Sequence, residues 1–185
     1  MILPVTIYGH PVLRKTASDI SSDYPDIKQL IENMFETLYQ SEGVGLAAPQ
    51  INLSIRLFIV DATPYGDEVP EMQDFKHVFI NAHILERTGE EESFNEGCLS
   101  IPAIRENVKR PTTIRMKYLD ENFTPHEKIF DGIAARIIQH EYDHLEGILF
   151  VDRLSAIRKK ILKSKLRALE NNKYSVKYRT ILNKI

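Results

Sequence analysis

Apolar positions between Pro25 and Ser41 recur in steps of three and four: Ile27, Leu30, Ile31, Met34, Phe35 and Leu38. That spacing lays them on one stripe of an amphipathic helix, with Pro25 in its first turn and Gly43 as its stop. Ile55-Arg56-Leu57-Phe58-Ile59-Val60 is a β-rich run bounded by polar residues and predicts a strand. Ala62 to Phe75, with two prolines and four acidic residues, predicts a surface loop. His77 to Glu86 predicts another strand, closed by an acidic turn at Gly89-Glu90-Glu91-Glu92. Thr112 to Leu119 and Thr124 to Phe130 alternate in polarity and predict a hairpin around Asp120-Glu121-Asn122.

From Asp131 to Glu146, Ile133, Ala134, Ile137, Ile138 and Leu145 occupy most of a helix circumference, and Gly147 supplies a C-cap. Apolar side chains on nearly every face mean that this second helix is buried. A third helix, Ser155 to about Asn171, sets Ile157, Ile161, Leu162, Leu166 and Leu169 against Lys and Arg. Strands in the middle and helices at either end predict an α+β fold. Its antiparallel sheets would pack around the buried second helix, with an N-terminal and a C-terminal helix outside. No internal repeat or low-complexity tract interrupts the pattern.

Length and composition narrow this further. The chain has 185 residues, enough for one domain, taken here as 1–170, followed by a basic tail, 171–185. A composition 43% hydrophobic and 27% charged excludes disordered and fibrous classes. No apolar run approaches the ~20 residues that cross a bilayer. Met1-Ile2-Leu3-Pro4-Val5 does not read as a signal peptide, so a cytoplasmic protein is expected. A single cysteine, Cys98, excludes an internal disulfide and an all-cysteine zinc finger. The net charge of −2 hides an asymmetry: Arg158 to Ile185 carries +9 and the first 157 residues carry −11. A basic end of this kind can contact a ribosome or other nucleic acid, though a solvated helix face gives the same pattern. No sequence-specific DNA contact is expected.

The strongest chemical signal is His140-Glu141-Tyr142-Asp143-His144. Side chains four apart on a helix share a face, so both imidazoles can reach one ion. Glu141 lies ~100° round the helix, beside the ion, where a general base for a water molecule belongs. Two histidines are too few for a catalytic metal, which usually takes three protein ligands. Downstream, Phe150 occupies the place of a third histidine in metzincins, and Glu170 has no supporting motif. Upstream, Cys98 sits in Glu96-Gly97-Cys98-Leu99-Ser100 and offers a thiolate to a borderline-soft divalent ion. A lone cysteine can equally be a small buried hydrophobe. The third feature, Gly43-Val44-Gly45-Leu46-Ala47-Ala48-Pro49-Gln50, reads as a tight loop where backbone passes close to something and Gln50 presents an amide.

Taken in order, Gly43–Gln50, Glu96–Ser100 and Gln139–Gly147 resemble the three motifs of the peptide deformylase family. The opening Ile7-Tyr8-Gly9-His10-Pro11-Val12-Leu13-Arg14 is similar as well, so the resemblance runs over about the first 150 residues. It implies removal of the N-formyl group from the N-terminal formyl-methionine of nascent polypeptides, with release of formate. It also implies Fe²⁺ as the usual cofactor, with Zn²⁺, Ni²⁺ or Co²⁺ as substitutes. Carried over residue by residue, the resemblance makes Cys98, His140 and His144 the ligands and Glu141 the acid/base. Gln50 and the Leu99 N–H would face the oxyanion, and Gly45 and Arg105 would meet the substrate chain. Val44, Ile133, Arg136 and Ile137 would line the methionine pocket, Arg136 with its apolar stem inward and its head in water. The loop 62–75 and the tail after Asn171 depart from the simplest family pattern.

Two other classes stay open at this point. An endopeptidase would share the His-Glu-x-x-His helix but needs its third ligand downstream. A non-catalytic metal module needs a fourth ligand, for which His10, His77, His83 and His126 are available.

Overall fold

The computed structural model describes residues 1–182. Helix α1 spans Ile27–Gln40 and buries Ile27, Ile31, Met34 and Leu38, the stripe expected from the sequence. It starts later than Pro25 because its N-cap, Asp26, is left-handed at φ 53°. Strands β1 (Val5–Thr6), β2 (Gly45–Ala47), β3 (Leu57–Asp61), β4 (Lys76–Cys98), β5 (Ile101–Leu119), β6 (Pro125–Asp131) and β7 (Thr180–Ile181) form two sheets. The larger runs β2-β3-β4-β5-β6 and is antiparallel throughout; β1 and β7 make a short parallel pair. The α+β class therefore holds.

The main departure from expectation is β4. No turn forms at Gly89-Glu90-Glu91-Glu92; the strand continues for 23 residues, paired with β5 through a series of bulges. Gly89 sits at one bulge with φ +80°, and a Cβ there would lie 2.2 Å from Thr112 Oγ1. The acidic side chains face water while β5 satisfies their backbone: Glu91 pairs with Pro111 and Glu92 with Arg110. The chain reverses instead at Leu99-Ser100, between Cys98 and Ile101. The loop 62–75 carries two short 3-10 turns, Thr63–Tyr65 and Pro70–Met72, and buries Met72. The hairpin around residues 120–122 is present as β5–β6.

Helix α2 (Gly132–Leu145) packs against β2, β3, β5 and β6 and buries ten of its fourteen residues. Its apolar side, with Ala135, Ile138 and Leu145, closes on Phe58, Phe79 and Met116 of the sheet. A second cluster joins α1 to β2 and β3 through Leu38, Leu46 and Ile59. A third gathers Ile7, Leu13, Val108, Phe150, Leu162 and Leu169 beneath α3 (Ala156–Glu170). There Ser155 caps the helix, but Ile157 and Ile161 are 73% and 58% exposed, so only Leu162 and Leu169 of the expected stripe are buried. The tail does not run into solvent: 172–182 returns along the body to β7, and residues 183–185 lie outside the described residues. No described helix is long and apolar enough to cross a membrane.

Candidate metal centre

Cys98 ends β4 immediately before the reversal into β5, and α2 supplies His140 and His144 one turn apart. The Cys98 Sγ lies 3.3 Å from His144 Nε2, and the two imidazole centroids are 5.3 Å apart. One donor atom from each of the three residues lies within 4.8 Å of the others; among the described residues this is the single such group. Thiolate plus two imidazoles is a borderline-soft donor set that suits a divalent transition ion.

A buried network orients the candidate ligands. His140 Nδ1 stands 3.0 Å from Glu96 Oε2, which directs its other nitrogen toward the cluster. Glu96 in turn accepts from Arg110 Nε and Nη2 at 2.7 and 2.9 Å and from Arg136 Nη1 at 2.9 Å. Arg110 also donates to Asp143, which accepts two further bonds from Arg153. Burial pushes the Glu96 carboxyl up, but hydrogen bonds from Arg110 and His140 outweigh it and hold the group far below the usual carboxylate range. Burial also works against a charged His140, yet Cys98 and Glu96 raise it well above normal. His144 has no carboxylate partner: burial, with His140 and Arg110 nearby, pushes it well below. Its Nδ1 is buried without a hydrogen bond.

Glu141 is 4% exposed, and its Oε2 is likewise buried without a partner. Burial pushes its carboxyl up to about 7. The opposite wall comes from β2, where Gly45 leaves the needed room: a Cβ there would lie 2.4 Å from Glu141 Oε1. Gln50 is locked because its Oε1 accepts from Ala47 N at 2.8 Å. Its amide nitrogen therefore points at Cys98 Sγ and Ser100 Oγ, at 3.4 and 3.3 Å. An ion fits this arrangement on two counts, the donor distances and the oriented His140, and beside it the buried Glu141 Oε2 is an acceptor that nothing in the protein satisfies.

Cys98 and His140 line a cavity of about 550 Å³. Val44, Gly45, Gln50, Leu99, Arg105, Arg136, Ile137 and Glu141 all line it, so most of the residues singled out in the sequence meet there. Ile133 does not; it packs partly buried against the core between sheet and α2. The expectation for Arg136 needs correcting. Its guanidinium is buried, bonded to Glu96, Val108 O and Glu92 O, so its head is held by protein acceptors instead of water. Arg105 is fixed by Asn95 through Oδ1 and the backbone carbonyl.

Of the rival ligands, Phe150 packs its ring against His140 at 6.1 Å, and no further histidine joins the described cluster. His126 pairs instead with Asp120 at 2.8 Å. The sequence reading gave no role to Glu96, Arg110, Asp143, Ser100 or Tyr178. Glu96 carried a usable signal: it lies two residues before Cys98 and so shares its side of the strand.

Fold and site together define an α+β protein with a candidate mononuclear Cys-His₂ metal centre on a His-Glu-x-x-His helix. The family model for polypeptide deformylase matches residues 2–160. The peptide deformylase of Christiangramia forsetii is 50% identical, over 97% of this chain and 95% of that protein. That of Flavobacterium johnsoniae is 49% identical over the same shares. Among solved structures, the Plasmodium falciparum peptide deformylase in complex with inhibitor aligns with TM-score 0.78 and 35% identity, over 90% of this chain and 99% of that one. The Legionella pneumophila peptide deformylase aligns with TM-score 0.80 and 34% identity, over 93% and 97%. The chain belongs to the polypeptide deformylase family.

Proposed function

We propose that this protein hydrolyses the N-formyl group of N-terminal formyl-methionine on nascent polypeptides and releases formate. The observation that carries the reading is the convergence of Cys98, His140 and His144 donor atoms within 4.8 Å, beside the buried and unpartnered Glu141 carboxylate. These three residues hold one divalent ion, Fe²⁺ in the cell, with Zn²⁺, Ni²⁺ or Co²⁺ as substitutes. A bound ion supplies Lewis acidity there, acidifying water and polarising a carbonyl oxygen.

The chain's own groups do the rest. Glu141 accepts the proton of the attacking water and later hands it to the leaving amine. The Gln50 amide and the Leu99 N–H donate to the oxygen on which charge builds; a donor of this kind is worth roughly 3–4 kcal/mol. Val44 and Ile137 offer apolar wall for the methionine side chain, and Gly45 and Arg105 meet the peptide that follows. The exposed Lys and Arg of α3 offer a surface to the ribosome, which delivers this substrate in the cytoplasm.

The test is formate release from a formyl-Met peptide by protein purified anaerobically with its metal assayed. Glu141→Ala should retain the ion and lose nearly all turnover. Persistent turnover in that variant contradicts the assignment of the base, and wild-type protein that releases no formate contradicts the reaction.

A further inference from the structure

Beyond α3 the chain turns through Asn172, left-handed at φ 56°, and runs extended along the body. Tyr174, Val176, Tyr178 and Thr180 are half-buried; Lys173, Ser175, Lys177 and Arg179 between them are exposed. Both ends of this segment are fixed. Lys173 N donates to Ala168 O at 2.8 Å, and Arg179 O accepts from Val5 N at 2.8 Å where β7 joins β1. Between these anchors, Ser175 to Tyr178 line the same cavity as the metal-centre residues. The Tyr178 hydroxyl donates to the Leu99 carbonyl at 2.7 Å.

Leu99 and Ser100 form the reversal next to Cys98. Ser100 is already held twice, by Tyr8 N on its carbonyl at 2.8 Å and by Gln50 on its hydroxyl. Among the described residues, the one side-chain hydrogen bond on Leu99 comes from Tyr178. The Leu99 carbonyl lies in the plane of the peptide that follows it, so a hold on it fixes that plane. The Leu99 N–H lies in the preceding plane and is restrained through the φ and ψ of Leu99, whose range the hold narrows. We propose that residues 173–182 are a strap that completes the substrate cleft, with Tyr178 a positioning residue that aims the Leu99 N–H by holding the Leu99 carbonyl. The segment lies beyond the span matched by the family model, 2–160. The catalytic consequence rests on the reaction proposed above; the hold on the turn does not.

The test compares wild type with Tyr178→Phe, which keeps the ring and removes the hydroxyl, in full-length, zinc-loaded protein with the metal assayed. Loss of the neutral hydrogen bond that holds the turn, and with it of the aim of one oxyanion donor, predicts a kcat for formyl-Met-Ala-Ser about five- to tenfold lower, with KM and metal content within twofold. By NMR, the amide order parameters of Leu99 and Ser100 should fall from about 0.85 to below about 0.6 while those of α2 stay unchanged. An unchanged kcat overturns the positioning role whatever the NMR shows, and so does a loss of order spread through α2. If wild type releases no formate at all, the reaction falls. In that case the order parameters still decide the hold on the turn: a selective drop at Leu99 and Ser100 supports it, and none overturns it.

Discussion

Gly45 shows how little tolerance a single position has. Its missing side chain leaves the space that Glu141 Oε1 occupies, 2.4 Å from where a Cβ would stand. Gly45→Ala should therefore displace the Glu141 carboxylate by about an ångström and lower kcat about 100-fold, the usual cost of such a misplacement. Metal content should stay at the wild-type level, since the three atoms nearest that Cβ all belong to Glu141; an unchanged kcat would show that Glu141 has room to retreat. Glu96 makes a different point. It is 5% exposed and joins His140 to Arg110 and Arg136. Glu96→Ala leaves two guanidinium groups buried without that partner, which predicts a loss of about 3–5 kcal/mol in urea unfolding. The same variant should bind its ion about 10–100-fold more weakly, because His140 loses the group that orients it.

At the scale of elements, β4 carries a testable pH dependence. His77 packs its ring edge-on against Phe75, and burial, with Lys128 and His126 nearby, holds its pKa below the ordinary value of about 6.5. The folded chain thus binds fewer protons here than the unfolded chain, so stability rises with pH. This contribution is complete above about pH 6.5 and is lost as pH falls from there toward the folded value. Subtracting the urea-unfolding curve of His77→Phe from that of wild type should isolate this slope between pH 7 and 5; parallel curves would contradict it. How legible each element was follows from what it buries. Helices α1 and α2 announced themselves because apolar residues mark their buried faces. The first half of β5 did not: Ile104, Glu106, Val108 and Arg110 all point inward, and two of those four are charged. Glu106 is paired by Arg158, and Arg110 by Glu96 and Asp143, partners 14 to 52 residues away that no local pattern reveals. The acidic stretch at 89–92 read as a turn because its side chains are solvated, while its backbone bonds are made across a ladder set by bulges. The Cys-His₂ set was readable because helix spacing fixes two donors and one cysteine was present. Tyr178 was hidden in a tail whose basic residues masked a two-residue alternation.

For the molecule as a whole, an ion bound by Cys98, His140 and His144 would be a cross-link. Cys98 comes from the end of β4 and the histidines from α2, so binding would hold together parts of the chain 42 residues apart or more. Removing the ion with a chelator should then lower stability by roughly 4 kcal/mol when it had been present at about 1,000 times its dissociation constant. The melting temperature should recover on adding Zn²⁺; a melting temperature indifferent to chelator would mean the fold does not depend on the site. X-ray absorption on protein loaded with one zinc ion per chain tests the central claim most directly. It should show one sulfur at about 2.3 Å and two imidazole nitrogens at about 2.0–2.1 Å, with the sulfur lost in Cys98→Ser. A first shell without sulfur in the wild type, or one unchanged by that substitution, would contradict it.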